Sequence, residues 1–409
     1  MKKGGFFKRT INDVPLAGTT VLLRADYNVP IAADGSISDD FRIRSSLPTL
    51  KKLLSEGCKV VIISHLGRPV GRDASLSLEP IAQRLAHLLK ADVRFVNQTV
   101  GDKVKMAVKT APKKSITVLE NLRFDPREEA NDAGFARQLA ESSTARYFVQ
   151  DGFGVVHRAH ASTEAITHFL PSVAGLLLER EYTVITHAMD SPERPLVAVM
   201  GGAKVSDKIG VIEALVKKAD KIIVAGAMAN TFLANKGIEV GKSKYETDQA
   251  NVISHIYDTI RKTKNIQNGD DFLILPQDVA VGKNLDTAEP RRDISLESVA
   301  NDDYILDIGK NSIEAMVKEV SLARTVIWNG TLGRAEFPEF AHGSARLALA
   351  LATQPGITSI IGGGDTADFV LKWDANNGES FTHVSTGGGA SLELMAGKKL
   401  PGVESLLDA

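Results

Sequence analysis

Basic side chains follow the apolar runs in the first half of the sequence, at the point where each run ends. Arg24 comes directly after one run, His65 and Arg68 follow the next, and Arg123 and Arg158 come after two more. A guanidinium donates paired hydrogen bonds to phosphate or carboxylate and stays charged at neutral pH. Alone, each such arginine is more often a surface charge or half of a local ion pair. Together these groups would repel one another unless an anion were supplied, so the pattern favours a site for an anionic ligand.

The same half of the chain carries further polar candidates for this site. Asp26 and Asn28 supply hydrogen-bond acceptors suited to the hydroxyl groups of a small anionic substrate, although turn formation ahead of Pro30 is an alternative role. The basic candidates comprise five arginines and three histidines that could face one crevice: Arg24, Arg42, Arg68, Arg123, Arg158, His65, His157 and His160.

A glycine-rich turn at residues 201–208 follows an apolar run in the second half and is predicted to open a helix. Glycine lets backbone N–H groups approach a phosphate, and a helix N-terminus favours negative charge. Lys204 and Lys208 are four residues apart, so we expect them on one face of the first helical turns. The turn matches neither the Walker pattern nor the dinucleotide fingerprint. It therefore predicts a phosphate site of another type, the alternative being a tight turn with exposed lysines.

Two more glycine clusters, residues 362–364 and 387–389, stand at the same kind of position, and each is predicted to begin a helix. Three such turns in one domain are hard to explain by folding alone, because glycine raises the entropy cost of ordering the chain. Asp365, beside a phosphate-binding helix start, would be electrostatically misplaced unless it binds a cation, and we expect Mg²⁺. Asn329 and Glu336 offer a polar wall and a carboxylate that suit a nucleotide base and ribose, a plain turn being the alternative.

The elements that must position these groups are short buried strands alternating with amphipathic helices. Helical spacing is clearest at Ile81, Leu85 and Leu88, behind a predicted Ser77 cap. Such alternation predicts an α/β fold of parallel sheets covered by helices on both faces, with ligands beyond the carboxyl ends of the strands. The predicted strands are residues 21–23, 60–63, 116–119, 147–149, 197–200, 222–224, 272–275, 326–328 and 359–361.

These strands are too many for one sheet of common size, so the sequence predicts two Rossmann-like domains joined by a hinge helix. A break at residues 170–175 places an N-terminal domain at 1–173, the helix at 174–190 and a C-terminal domain at 191–392. One large domain with several sheets is the alternative.

Charge divides the chain in the same place. The 409 residues contain 49 Lys and Arg against 50 Asp and Glu, a formal net charge of -1 that argues against a whole-molecule nucleic-acid binder. Residues 1–173 contain 25 basic and 18 acidic residues, however, and the remainder contains 24 and 32. The only cysteine, Cys58, cannot form an internal disulfide, so we expect a reducing compartment, with the cytoplasm as default. No apolar run is long enough to predict a membrane span.

The motifs in order resemble those of the phosphoglycerate kinase family along essentially the whole chain. Seven blocks in sequence are far more specific than any one of them. The last residues of the chain, 400–404, are also similar to the family's ending, and we expect residues 393–409 to pack back on the N-terminal domain. The matching blocks are residues 24–30, 64–69, 120–124, 157–162, 201–208, 362–366 and 386–391.

The resemblance implies reversible phosphoryl transfer from 1,3-bisphosphoglycerate to MgADP, giving 3-phosphoglycerate and MgATP in glycolysis, by a monomer that closes about its hinge. It implies that Arg42 contacts the transferring phosphoryl group, that Lys204 moves with this group during the transfer, and that Asp365 binds magnesium. The implied catalytic positions are Arg42, Lys204, Gly364 and Gly387. The implied substrate-binding positions are Arg24, Asp26, Asn28, Arg42, His65, Arg68, Arg123, His157, Arg158 and His160. The implied nucleotide-binding positions are Gly202, Ala203, Lys204, Lys208, Asn329, Glu336, Gly362, Gly363, Gly364, Asp365 and Thr366.

The sequence departs from the family pattern at uncharged positions. Thr331 stands where the family has proline, Gln150 where it has asparagine and Gln277 where it has valine, and residues 225–227 replace a glycine-rich run near the base pocket. These changes bear on nucleotide affinity and base preference more than on the reaction. Two rival functions are a dinucleotide-dependent dehydrogenase, disfavoured by the missing fingerprint, and a nucleotide-binding regulatory module, disfavoured by the intact set of basic residues.

Overall fold

The computed structural model describes residues 5–285 and 290–409. The chain divides into two compact units, one formed by Met1–Thr183 with Lys399–Ala409 and the other by Val184–Lys398. Within the described ranges, no helix combines the length and the apolarity needed to cross a membrane.

The first unit is built on a parallel six-stranded sheet with the order β3-β4-β2-β1-β5-β6. Its strands are β1 (Thr20–Arg24), β2 (Lys59–Ile63), β3 (Val93–Val96), β4 (Ile116–Leu119), β5 (Tyr147–Gln150) and β6 (Ser172–Ala174). Its helices are α1 (Phe41–Ser45), α2 (Leu47–Ser55), α3 (Glu79–Leu89), α4 (Asp102–Thr110) and α5 (Ala133–Ser143), and α6 (Leu176–Asp190) carries the chain into the second unit.

Both faces of this sheet are buried, which is why its strands read as continuous apolar runs. Val21 and Leu23 of β1 pack in one hydrophobic cluster, whereas Leu22 between them packs in another. The alternation follows from the two-residue repeat of a strand, and helices on both sides cover the two clusters. Parallel pairing then places the carboxyl ends of all six strands at one edge, where the polar residues that follow them gather.

The second unit contains a parallel six-stranded sheet with the order β15-β14-β13-β7-β8-β9. A separate antiparallel sheet, β11-β10-β12, lies within the same unit. The strands are β7 (Leu196–Met200), β8 (Lys221–Val224), β9 (Leu273–Ile274), β10 (Asp278–Gly282), β11 (Arg292–Ser295), β12 (Tyr304–Ile308), β13 (Thr325–Asn329), β14 (Thr358–Gly362) and β15 (His383–Val384). The helices are α7 (Ile209–Lys218), α8 (Gly226–Asn235), α9 (Ala250–Lys264), α10 (Lys310–Ser321), α11 (His342–Thr353), α12 (Gly364–Trp373) and α13 (Gly388–Met395).

The C-terminal segment returns to the first unit and ends in the short helix α14 (Pro401–Glu404). Lys8 is buried there, and its Nζ donates hydrogen bonds to the carbonyl oxygens of Glu404 at 2.8 Å and Leu406 at 3.0 Å. The amide of Gly402 donates to the carbonyl of Val156 at 2.9 Å. The C-terminal segment is thereby joined to Lys8 and to Val156 of the first unit.

The predicted α/β class with two parallel sheets is confirmed, and several local expectations need correction. The antiparallel sheet was not predicted, because its strands carry mixed polar and apolar residues. The strand expected at 272–275 is only Leu273–Ile274. Ser77 is not the cap residue of α3, which begins after Leu78, although its hydroxyl accepts a hydrogen bond from the Glu79 amide at 3.3 Å.

Candidate active site

Arg24 lies at the carboxyl end of β1 and forms the buried centre of the basic patch. Its Nε donates to the Ser162 hydroxyl at 2.8 Å, and its Nη2 lies 3.2 Å from Nδ1 of His65. Only 1% of the residue is exposed. Because its donors are directed at protein atoms, Arg24 organises the residues around it in this structure.

Glu128 is a buried partner of Arg24 that the sequence reasoning missed. Its Oε2 accepts the amide of Ser162 at 3.1 Å, and its Oε1 lies 4.0 Å from Arg24 Nη2 and 4.0 Å from His160 Nδ1. Burial raises the pKa of Glu128, while the positive charge of Arg24 acts in the opposite direction. Glu128 therefore lies as a buried acceptor between Arg24, Ser162 and His160. Its contacts Arg24, His160 and Ser162 all belong to family blocks, whereas Glu128 itself lies in none of them.

His65 and His160 are held neutral in this environment. Burial and then the positive charge of Arg24 lower the pKa of His65 well below its usual value. The same two causes lower the pKa of His160 to about 4. At neutral pH both imidazoles therefore act as hydrogen-bonding groups and not as cations.

Asp26, Asn28 and Arg42 form a second cluster at the same edge. The Arg42 Nη1 lies 3.4 Å from Oδ2 of Asp26 and donates to the carbonyl oxygen of Asn28 at 2.8 Å. The side-chain oxygen of Asn28 accepts the amide of Gly67 at 2.8 Å. Arg42 remains one-quarter exposed, whereas Asp26 is buried. The guanidinium is thus held in place at one end and accessible to a ligand.

Arg68, Arg123, His157 and Arg158 complete the basic patch. Arg123 is buried, donates from Nη1 to the carbonyl of Gly67 at 2.6 Å, and pairs through Nε with Oε1 of Glu129 at 3.1 Å. Burial lowers the pKa of Arg123; the charge of Glu129 opposes this shift, and the charges of Arg158 and Arg68 add to it. Arg158 donates from Nε to Nε2 of His157 at 3.1 Å. The strands that carry the patch, β4, β2, β1 and β5, are neighbours in the sheet. The tertiary structure therefore brings the predicted basic residues to one edge.

The glycine-rich turn after β7 packs against the backbone that follows β13. A Cβ on Gly201 would lie 2.2 Å from the carbonyl oxygen of Thr331, so only glycine fits. The Lys208 Nζ donates to the carbonyls of Gly201 at 2.8 Å and Asn329 at 3.1 Å. Burial lowers the pKa of Lys208 to about 8. The strands β7 and β13 are neighbours at the point where the order of strands in the sheet reverses. Open α/β sheets bind ligands at this point.

The prediction that Lys204 and Lys208 share a helical face is wrong, because α7 begins only at Ile209. The preceding residues form a loop whose amides bond elsewhere. Glu246 accepts the amides of Val205 at 2.6 Å and Ser206 at 3.1 Å, an arrangement that no sequence motif indicated. Lys204 is exposed on this loop.

The other two glycine clusters do begin helices, and they lie against each other. A Cβ on Gly388 would lie 3.7 Å from the amide nitrogen of Gly364. The Thr366 hydroxyl accepts the amide of Gly330 at 2.7 Å and thereby joins α12 to the loop after β13. In the part of the chain that the structure describes, the buried Asn329 Nδ2 has no hydrogen-bond partner. An unsatisfied buried donor between glycine-rich turns suits a phosphate acceptor.

A cleft of about 440 Å³ opens beside these turns. Gly202, Ala203, Glu336 and Asp365 are among its lining residues, together with apolar side chains from β12 and the loop after β13. Glu336 Oε1 accepts from Arg334 Nε at 3.0 Å. A mostly apolar cleft with a few polar groups at one end fits a nucleotide, with the base in the apolar part and the phosphates at the helix starts.

The comparisons with known proteins agree with this geometry. Residues 11–398 match the family model described as phosphoglycerate kinase. The chain belongs to the phosphoglycerate kinase family. It is 43% identical over 404 residues to the phosphoglycerate kinase of Dictyoglomus turgidum, covering 98% of this chain and 99% of that one. It is 44% identical over 397 residues to that of Thermosynechococcus vestitus, covering 96% and 97%.

Solved structures of the family share the whole fold. The phosphoglycerate kinase of Coxiella burnetii superimposes with a TM-score of 0.82 at 34% identity, covering 97% of this chain and 98% of that one. The enzyme of Pyrococcus horikoshii gives a TM-score of 0.84 at 30% identity with the same coverage. The reaction of the family is reversible phosphoryl transfer between 1,3-bisphosphoglycerate and ADP, a glycolytic kinase reaction on a carboxyl acceptor. The dehydrogenase and regulatory-module alternatives are thereby set aside.

The departures from the family pattern fall at defined places. Ala227 and Thr331 line the cleft, and the Thr331 carbonyl accepts the Gly202 amide at 3.0 Å. Gln150 is fully buried at the end of β5, and its Nε2 has no hydrogen-bond partner among the described residues. Gln277 precedes β10, where its amide donates to the Ser312 hydroxyl at 2.9 Å.

Proposed function

We propose that the first unit binds the phosphoglycerate through its basic patch and that the second binds MgADP or MgATP in its cleft. The observation that carries this assignment is the set of arginines and histidines gathered at the carboxyl edge of β4, β2, β1 and β5. The proposed domain limits are residues 1–173 and 191–392, and the segment that returns to the first unit is Lys399–Ala409, shorter than the expected 393–409 because Met395 still belongs to α13 of the second unit. We also propose a cytoplasmic monomer, and sedimentation would test the monomeric state.

In the proposed substrate site, charged and neutral donors have separate tasks. Arg68, Arg123 and Arg158 supply the positive charge for the phosphate and carboxylate groups of the acid. His65 and His160, neutral at physiological pH, donate or accept hydrogen bonds without adding to the repulsion among the arginines. The proposed substrate-binding residues also include Arg24, Asp26, Asn28 and His157. Of these, the buried Arg24 orients its neighbours Ser162 and His65.

Asp365 fits a magnesium ion bound through a nucleotide. It is exposed in the first turn of α12 and lines the cleft. Among residues 5–285 and 290–409, no cluster of three or more His, Cys, Asp or Glu could hold a metal by itself. Mg²⁺ in kinases is held by one or two carboxylates together with substrate phosphates and water, so one aspartate suffices. When bound, Mg²⁺ would neutralise charge on the nucleotide phosphates.

In the proposed transfer step, the chain supplies positioning and charge and no covalent nucleophile. Arg42 and Lys204 would neutralise the transferring phosphoryl group, and the backbone amide at Gly364 would donate to it. The turn at Gly387 completes the proposed site, although the Gly387 amide donates to the Ser385 hydroxyl at 3.1 Å in this structure. Phosphoryl transfer needs in-line placement and charge compensation above all, which these groups can provide. The remaining proposed nucleotide contacts are Gly202, Ala203, Lys208, Asn329, Glu336, Gly362, Gly363 and Thr366.

Domain closure is proposed to accompany the reaction. Water would accept the phosphoryl group in an open site, so the two substrates must be brought together with water excluded. The helix α6 is the proposed hinge, because the division between the compact units falls within it. X-ray scattering should show a smaller radius of gyration with both substrates bound. An unchanged radius in a fully active sample would refute closure.

The function is tested by coupling ATP formation from 1,3-bisphosphoglycerate and ADP to a spectroscopic readout. We expect turnover that depends on Mg²⁺ and on both substrates. Separate equilibrium titrations of each isolated substrate should show that Arg123→Ala weakens 3-phosphoglycerate binding and leaves ADP binding unchanged. Weakening of ADP binding instead would refute the assignment of substrates to units.

A further inference from the structure

Glu246 is distant in sequence from the loop that carries Lys204, but its carboxylate contacts that loop. Its Oε2 accepts the amide hydrogens of Val205 at 2.6 Å and Ser206 at 3.1 Å, while its Oε1 accepts the Ser206 hydroxyl at 2.5 Å. Three hydrogen bonds thus converge on one side chain from two consecutive residues. Lys204 directly precedes Val205 and Ser206, so these hydrogen bonds fix the backbone from which the Lys204 side chain projects.

Glu246 is itself held by a buried helix. Its amide donates to the hydroxyl of Thr231 at 3.1 Å, and the carbonyl of Lys244 accepts from Asn230 Nδ2 at 3.1 Å. Asn230 and Thr231 are both buried in α8. The backbone that carries Glu246 is therefore anchored to the core of the second unit.

The electrostatics favour an ionised Glu246. Partial burial opposes ionisation, but the hydrogen bonds from Ser206 and Val205 and the charge of Lys204 outweigh it and lower the pKa of Glu246. An ionised carboxylate forms stronger hydrogen bonds to amides than a neutral acceptor does. The Glu246 carboxylate also accepts the amides of Val205 and Ser206, so these two amides are not available to a phosphate at this turn. A phosphate bound here would contact the other groups of the turn.

We propose that Glu246 is a positioning residue for phosphoryl transfer, which holds the loop of residues 203–208 so that Lys204 is presented beside the nucleotide cleft. The proposal rests on the catalytic role proposed above for Lys204. Ala203, on the same loop, lines the cleft, so a shift of this backbone would move Lys204 relative to a bound nucleotide. Positional errors of this kind reduce the rate of transfer more than they weaken binding.

The test compares Glu246→Ala with Glu246→Gln, which keeps one acceptor oxygen, and with Glu239→Ala as a matched control. Glu239 is exposed and accepts only one amide among its described contacts, that of Gly241 at 3.0 Å. We expect Glu246→Ala to lower kcat by roughly tenfold to a hundredfold with the KM for ADP changed less than about threefold. Glu246→Gln should recover part of kcat, and Glu239→Ala should leave kcat unchanged.

Amide hydrogen exchange provides a readout that does not depend on activity. Exchange at Val205 and Ser206 should be faster in Glu246→Ala than in the parent protein, and only slightly faster in Glu246→Gln. Unchanged exchange, or faster exchange with an unchanged kcat, would overturn the proposal. A rise in KM without a fall in kcat would also overturn it. Should Lys204→Ala retain full kcat, the proposed function of Lys204 fails, whereas the exchange result still decides whether Glu246 holds the loop.

Discussion

Replacing Lys8 by methionine should destabilise the first unit selectively. Methionine keeps the apolar stem but removes the donors that reach the carbonyl oxygens of Glu404 and Leu406. A fully buried carbonyl left without a donor costs about 1–3 kcal/mol, and the bond to Leu406 is buried whereas that to Glu404 is only partly buried, so the two together predict a loss of about 2–4 kcal/mol. The third bond, to Asp408 at 2.6 Å, adds less than about 1 kcal/mol because that carboxylate is 85% exposed.

Two spectroscopic signals can separate the units in a urea titration. The two tryptophans, Trp328 and Trp373, both lie in the second unit, whereas far-ultraviolet circular dichroism reports on the whole chain. Lys8→Met should shift part of the circular dichroism transition to lower urea and leave the tryptophan transition in place. The control is Arg9→Ala, which removes an exposed hydrogen bond to the Asp408 carbonyl and should cost less than about 1 kcal/mol.

Lys8→Met should also affect the loop that carries His157 and Arg158. The Gly402 amide donates to the carbonyl of Val156, the residue before His157, and a Cβ on Gly402 would lie 3.0 Å from Val156 Cα. Loosening the C-terminal segment should therefore raise the KM for the phosphoglycerate severalfold and leave the KM for ADP unchanged. A loss below about 1 kcal/mol in unfolding free energy, or an equal shift of both transitions, would refute this reasoning.

Three further results are expected. Arg42→Ala and Lys204→Ala should each lower kcat by roughly a hundredfold or more, since each removes charge from the transition state, and a near-normal kcat would exclude that residue from the role. His160 binds a proton less readily when folded than unfolded, because its folded pKa is about 4 against an ordinary 6.5. Stability of the first unit should consequently fall as pH drops from about 6.5 towards 4, and His160→Gln should flatten that slope in urea titrations. Gly201→Ala should abolish nucleotide binding in equilibrium titrations, because its Cβ would collide with a carbonyl 2.2 Å away. Gly210→Ala, whose Cβ would lie 3.6 Å from its nearest neighbour, should be tolerated, and equal effects of the two changes would contradict the steric argument.

The sequence predicted those elements whose pattern depends on burial. The strand expected at 116–119 coincides with β4, and the helix expected at 174–190 contains α6. Both follow from local composition, since strands buried on two faces must be apolar throughout and a surface helix must repeat every three to four residues. In the sheet of β10, β11 and β12, the strand β11 gave no such signal, because it is largely exposed and its residues carry no apolar alternation.

The site shows a similar division. Residue types and their places after strands sufficed to identify the basic residues of the first half and the glycine-rich turns of the second. Glu128 and Glu246 escaped notice because nothing near them in sequence marks a partner. Glu128 meets Arg24 across 104 residues, and Glu246 meets Ser206 across 40. The helix predicted to begin at the first glycine-rich turn begins later, at Ile209, and the amides of Val205 and Ser206 in the intervening loop donate to the distant Glu246 carboxylate.

Sequence alone determined the α/β class, the order of the motifs and the kinds of group available for binding phosphate, because these depend on side-chain chemistry and on local periodicity. Only the tertiary structure decided the state of each group. Burial among arginines makes His65 and His160 neutral, and burial under the loop after β13 lowers the pKa of Lys208 to about 8. Charge state and loop position depend on neighbours distant in sequence, so they are properties of the packed chain.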